Sequence, residues 1–233
     1  MANVLALDVL ADVASAACVI DGRLFSHTML KQKHADALGA CVQALLQKEP
    51  RLFSKLAMVV VNVGPGSFTG VRVGLASAQA LCFAHKLPVW AVSHLLGCAY
   101  QYHWSQYLGP VASGQEVNAF VTQSVQWPCV RYAVAMDARM QEAYVADVQS
   151  QSSMWLDVAT EDALCAMEVL VQRRESEDSV LLGDAWGGLQ SRLDVLMSWS
   201  EVMAMVAYKR YPDLDLLPIA SVRPNYLRNQ VTG

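Results

Sequence analysis

The stretch Val59-Val60-Val61-Asn62-Val63-Gly64-Pro65-Gly66-Ser67-Phe68-Thr69-Gly70-Val71-Arg72-Val73-Gly74 limits what this chain can fold into more than any other. Valine suits a buried pleated surface, so residues 57–63 predict a strand. Gly64-Pro65-Gly66 ends it, because Pro65 fixes φ and the two glycines reach conformations that other residues avoid. The Thr69 hydroxyl is expected to cap a helix that begins near Gly70 and runs to about residue 85. A strand, a glycine loop and a helix in succession leave bare N–H groups at a helix N-terminus, where an anion can bind. Gly64, Gly66, Ser67, Thr69 and Gly70, with Asp8 from the start of the chain, are therefore the candidate nucleotide contacts. Such loops also occur as plain tight turns, and the Gly-Lys-Ser/Thr ending of a Walker loop is missing, so no lysine reaches terminal phosphates.

Around this centre the chain alternates strands and helices. Val4-Leu5-Ala6-Leu7, ending at Asp8, predicts a first strand, residues 14–20 a second and 23–29 a third, with Asp21-Gly22 as a hairpin turn. Leu38, Val42, Leu45 and Leu46 recur at helical spacing, giving a helix over 33–48 that Pro50 ends. Residues 88–92 predict another strand, and Ser93 caps a helix at 94–103. Residues 105–130 break the pattern and read as a polar surface excursion. Strands at 130–136 and 143–148 then flank Asp137-Ala138-Arg139-Met140-Gln141-Glu142. A helix at 161–173, a strand at 179–182, a turn at 183–185 and helices at 186–197 and 200–208 complete the reading.

Composition excludes several function classes. With 54% hydrophobic and only 16% charged residues, the 233-residue chain builds a sizeable core rather than a disordered tail. A net charge of −4 without a Lys/Arg run argues against holding nucleic acid directly, since phosphate neutralisation supplies most of that affinity. Cys18, Cys41, Cys82, Cys98, Cys129 and Cys165 form no Cys-x-x-Cys pair and read as reduced thiols of a cytoplasmic protein. Ser15-Ala16-Ala17-Cys18 faintly resembles a lipoprotein cleavage site, but Asp8 and Asp12 interrupt the apolar run, so no signal peptide is expected. No apolar stretch approaches a membrane span, so no membrane association is expected.

Leu5-Ala6-Leu7-Asp8, the glycine loop from Gly64 to Gly74, Asp137-Ala138-Arg139-Met140-Gln141-Glu142-Ala143-Tyr144 and Pro224-Asn225-Tyr226-Leu227-Arg228 together resemble the TsaB (YeaZ) family, in that family's order. The resemblance implies an α/β fold of the actin/Hsp70/sugar-kinase (ASKHA) type, with two lobes that each carry a mixed sheet flanked by helices. Residues 1–103 would form the first lobe and 104–214 a smaller second one, with the tail from about 215 to 233 returning to the first. It also implies a role in making threonylcarbamoyladenosine beside the tRNA anticodon, as a non-catalytic subunit that pairs with a TsaD-like transferase. A TsaE-like ATPase would join them, TsaC-type enzymes would supply threonylcarbamoyl-adenylate, and tRNA would be met only indirectly. The isolated chain is expected to be able to form a homodimer. No intrinsic cofactor or metal is implied, although ATP or ADP can sit at the partner interface.

The departures from the family bear on chemistry. Small hydroxyl residues usually follow the first-strand aspartate, whereas Val9, Leu10 and Ala11 stand here and cannot hydrogen-bond a phosphate. Asp8 then reads as a strand-end aspartate bonding nearby turn amides, rather than as the holder of a metal-bound water. The catalytic relatives carry a His-x-x-x-His metal pair on the first long helix; here His34 is followed by Leu38, so the pair is absent and His34 reads as a surface or capping residue. Asp137, Arg139 and Glu142 read equally as a charged site or as a salt-bridged turn. The expected partner surface combines Leu38, Val42 and Leu45 of one helix with Val71, Gly74, Leu75, Ser77, Ala78 and Leu81 of the other, since small residues at this spacing let another helix approach closely. The alternative function is an ATP-dependent kinase or ATPase of the same fold, or a glycoprotease-like peptidase. Either would turn over substrate alone, but no nucleophile set or metal pair can be placed.

Overall fold

The computed structural model describes residues 2–10, 13–30, 34–121, 125–174, 179–186 and 197–227. β1 (Val4–Leu10), β2 (Val13–Ile20) and β3 (Arg23–Leu30) form an antiparallel meander. Its second turn is Asp21-Gly22, with φ at 50° and 81°, as a tight hairpin of twisted strands requires. α1 (His34–Lys48) and α2 (Leu52–Lys55) lead to β4 (Met58–Asn62), which lies parallel to β1. α3 (Phe68–His85) crosses to β5 (Val89–Val92), parallel to β4, so the first sheet runs β3-β2-β1-β4-β5.

α4 (His94–Tyr107) and α5 (Val117–Val121) precede the second sheet. Its centre is the long antiparallel hairpin of β6 (Cys129–Arg139) and β7 (Glu142–Gln151). β8 (Asp157–Val158) and β9 (Ala163–Ala166) both pair with β7. After α6 (Met167–Arg174), β10 (Val180–Leu182) pairs with β6 in parallel, and α7 (Trp199–Arg210) is the last α-helix among the described residues.

Strand periodicity explains the layers. Successive residues point to opposite faces, so a strand buried on both sides reads as one apolar run. Leu5, Leu7, Val59 and Val61 face α1 and α3, where they meet Leu38, Cys41, Leu45, Leu75 and Ala78. Val4, Ala6, Met58 and Val60 face the other way and share a core with Tyr132, Val134, Ala146 and Val148 of the second sheet. α4 and α7 fill the space between the sheets. Trp199 and the run from Val202 to Tyr208 are all buried, as expected of a helix apolar on every side. Ser198 and Glu201 close its start as a capping box, and Glu201 also accepts from Ser26 Oγ of β3 at 2.6 Å. The buried His103 ties α4 to the second sheet through Tyr132 Oη at 2.7 Å and Ser153 O at 3.0 Å.

Three expectations change, and a fourth falls largely outside the described residues. The cap of α3 is Ser67, whose Oγ accepts from Gly70 N at 3.2 Å; Thr69 lies exposed inside the first turn. Residues 161–173 are not one helix, because Ala163–Ala166 is drawn into the sheet by pairing with β7 before α6 begins. The segment 105–130 is not wholly irregular, since α4 continues to Tyr107, α5 follows, and β6 starts at Cys129. Of the helix expected at 186–197, residues 187–196 lie outside the described residues, and Trp186 ends a short 3-10 turn.

The layer between the sheets depends on one close crossing. A Cβ on Gly97 would fall inside the Trp199 indole, so α4 and α7 meet there without room for a methyl group. Gly97→Ala is expected to cost about 1–3 kcal/mol through forced repacking. Gly39 in α1 is exposed and has nothing within 4 Å of its Cβ position. Gly39→Ala is expected to stabilise by roughly 0.5–1 kcal/mol. Urea unfolding of the two variants checks both signs.

Candidate functional site

In sheets of this kind, sites form where parallel strands end. β1, β4 and β5 end beside the start of α4, and there the apolar core gives way to Asp8, Asn62, His94 and Cys98, all buried. Asn62 is the hub. Its Oδ1 accepts from Gly64 N at 2.8 Å, which orients the amide. Its Nδ2 donates to Asp8 Oδ1 at 2.7 Å and lies 3.0 Å from His94 Nδ1. Because Nδ2 can only donate, Nδ1 of the imidazole accepts, and this network assigns the ring proton to Nε2. Nε2 in turn lies 3.3 Å from Cys98 Sγ.

This arrangement disables the nucleophile that its residue types suggest. A thiol is activated by an imidazole that can take its proton, and here the free lone pair faces Asn62 instead. Burial lowers the His94 pKa to about 4. Burial also pushes the Cys98 thiol well up, helped by the negative charges of Asp8 and Asp184. Burial lifts the Asp8 carboxyl to about 7, against the Asn62 N–H and a backbone N–H that pull it down. Ser15, opposite Asp8 in the β1–β2 register, is buried and its Oγ has no partner among the described residues.

The glycine loop is filled from within. A Cβ on Gly70 would sit 2.7 Å from Val9 O, and one on Gly74 would touch Val9 Cγ2 at 3.8 Å. Leu10 Cδ2 lies 3.4 Å from the Cβ position of Gly66. The end of β1 thus rests against the loop, with Val9 and Leu10 as its apolar neighbours. Gly64 and Gly70 are buried, Gly66 and Thr69 are exposed, and Ser67 is spent on the cap. Gly64, at φ 90°, is the position that demands glycine, whereas Gly66 at φ 158° is close to extended backbone. Ala11 lies outside the described residues.

The partner stripe expected on α1 and α3 mostly faces inward. Leu38, Leu45, Val71, Gly74, Leu75 and Ala78 are buried in the chain's own core, while Val42, Ser77 and Leu81 are partly exposed. Helical spacing identifies a stripe of small residues but not the surface it meets, and the first sheet takes it. The outer face of α3 carries Arg72, Ala76, Ala80, Phe83 and Ala84, with Phe83 86% exposed. Asp137 serves a turn: its Oδ1 accepts from Arg139 N at 2.7 Å, while Asp184 Oδ1 accepts from Asp137 N at 2.7 Å. Arg139, Met140 and Gln141 follow at φ 63°, 55° and 62°. In the tail, Tyr226 and Asn225 make contacts with Arg72 and Asp162, and Arg228 lies outside the described residues. Asn62, His94, Cys98 and Asp162 were not singled out in the sequence. Asn62 alone had a signal, as one amide in a valine run.

Asp8 ties this site to stability. Its folded pKa of about 7 exceeds the ordinary carboxylate value of 3.8, so its contribution is complete below that lower value and is lost as pH rises through the higher one. Asp8→Asn removes the cost of ionisation. The stability of the variant relative to the parent is expected to rise by roughly 2–3 kcal/mol between about pH 5 and about pH 8, measured by urea unfolding at both.

The family model described as TsaD, tRNA N6-adenosine threonylcarbamoyltransferase, matches residues 28–182. The tRNA threonylcarbamoyladenosine biosynthesis protein TsaB of Escherichia coli is 28% identical, over 98% of this chain and 96% of the relative. The protein of that name from Haemophilus influenzae is 24% identical, over 99% of this chain and 95% of its own. Among solved structures, YeaZ from Pseudomonas aeruginosa superposes with a TM-score of 0.71 at 26% identity, covering 97% of this chain and 100% of that one. The architecture is accordingly the actin-like two-lobe α/β fold, with a mixed sheet in each half. On its sequence, its fold and the TsaD model match, the chain belongs to the TsaB (YeaZ) family, within the wider TsaD family.

Proposed function

We propose that this chain is a non-catalytic subunit that supports a TsaD-like transferase in forming threonylcarbamoyladenosine beside the anticodon of tRNA. The observation that carries the reading is the packing of Val9 and Leu10 into the glycine loop, which replaces a phosphate cradle with apolar contacts. The inverted His94–Cys98 pair supports it from the side of covalent chemistry. The net charge of −4 supports indirect contact with tRNA, the basic surface being the partner's. A nucleotide in the assembly, whether ATP or ADP, is held by partner residues, and a TsaE-like ATPase joins the same complex.

The outer face of α3 is the proposed contact with the TsaD-like protein and, in the isolated chain, with a second copy. Ala76 and Ala80 allow close approach of a helix, and Phe83 supplies an exposed apolar anchor. Ala80→Arg should leave circular dichroism and the melting transition unchanged while abolishing co-elution with the partner. Ala78→Arg should instead unfold the chain itself, because an unpaired charge in the core costs about 3–5 kcal/mol. Reconstituted tRNA modification with and without this chain tests the function: turnover by the isolated chain, or full modification without it, contradicts the reading.

A further inference from the structure

The C-terminal segment is anchored at four places, on Val89, Val63, Asp162 and Arg72. Leu217 first exchanges two backbone hydrogen bonds with Val89, at 2.8 and 3.0 Å, along the free edge of β5. Asn225 N then donates to Val63 O at 2.7 Å. Asn225 Nδ2 donates to Asp162 Oδ2 at 2.7 Å, and the same oxygen accepts from Ser93 Oγ at 2.6 Å. Tyr226 Oη accepts from Arg72 Nε at 2.6 Å, and the Arg72 guanidinium lies 3.5 Å from the Phe68 ring centroid.

These anchors converge on the polar floor. Val63 follows Asn62, and Ser93 precedes His94, so the segment is tied one residue from each of the two groups that organise the array. Asn225 O lies 3.7 Å from the Cβ position of Gly64, whose own N–H holds the Asn62 amide. Asp8, Asn62, His94 and Cys98 are themselves buried. The segment itself has little packing: Val222 is its one buried side chain within 222–227, and Tyr226 is 48% exposed. A stretch held by a few hydrogen bonds and scant apolar area opens at far lower free energy than the core beneath it.

We propose that residues 223–227 are a releasable strap, clasped to Asp162, that seals the polar floor of the cleft, so that a small molecule reaches Asp8 or Cys98 only when the clasp opens. Cys98 reports the opening. Cys18, Cys41 and Cys82 are buried on the other face of the first sheet, against α1 and α3, and report global unfolding.

The test is alkylation of the full native chain by iodoacetamide, followed by mass spectrometry of each cysteine-containing peptide. Because these thiols differ in pKa, each cysteine's rate in the parent chain is the reference for its own rate in the variants. Asn225→Ala keeps the backbone bond to Val63 but removes the clasp, and the Cys98 rate is expected to rise about tenfold, the worth of one hydrogen bond to a carboxylate. Asp162→Ala is expected to act alike, and Tyr226→Phe, which spares the clasp, more weakly. A Cys98 rate unchanged in all three variants would falsify the strap, and so would a rise shared equally by Cys18, Cys41 and Cys82.

Discussion

The hydrogen bond from Gly64 N to the Asn62 carbonyl oxygen governs the cleft. It turns one amide so that both of its N–H groups face inward, one toward Asp8 and one toward His94, where it fixes the ring tautomer, while burial sets the pKa shifts of both groups. An amide turned the other way would present an oxygen to the Asp8 carboxylate, with repulsion in place of a bond. The chain conformation that supplies this N–H depends on Gly64 at φ 90°, where a side chain would be strained. The glycine loop therefore shapes this polar array by holding Asn62.

A second constraint is the layer shared by the two sheets. α7 comes from late in the chain yet packs on β1 and β2, while α4 comes from the first half and packs on β6 and β7. Each helix is thus surrounded by residues distant in sequence, and neither sheet has a complete core without both. The Gly97–Trp199 crossing and the Gln101 Nε2 bond to Met197 O at 3.1 Å set the distance between them. That spacing fixes where Ser93 and His94, at the start of α4, meet the ends of β1 and β4.

Local patterns made the first sheet legible. The valine run, the Asp21-Gly22 hairpin and the helical repeat of Leu38, Val42 and Leu45 depend on near neighbours, and the structure follows them. Residues 161–173 misled because Ala163, Leu164 and Ala166 favour a helix locally, and pairing with β7 overrides that preference. The site was legible at Asp8 and the glycine loop and hidden elsewhere. His94 and Cys98 stand in an ordinary helix start, and Asp162 in an ordinary loop; only tertiary contacts with Asn62 and Asn225 give them meaning. The phase of α3 was hidden for the same reason, since Gly74, Ser77, Ala78 and Leu81 form a small stripe whichever surface it meets.

α3 joins the two parts of the functional reading. Its inner stripe of Val71, Gly74, Leu75 and Ala78 binds it to the first sheet, and its outer stripe of Ala76, Ala80 and Phe83 stands exposed. A chain that bound nucleotide alone would need the loop before this helix open and polar. A chain that presents a helix to another subunit needs that helix held rigidly at its start. Contacts of Val9 and Leu10 with the loop and with Gly74 press the N-terminus of α3 onto β1. The packing that closes the loop on β1 is therefore the packing that fixes the start of α3.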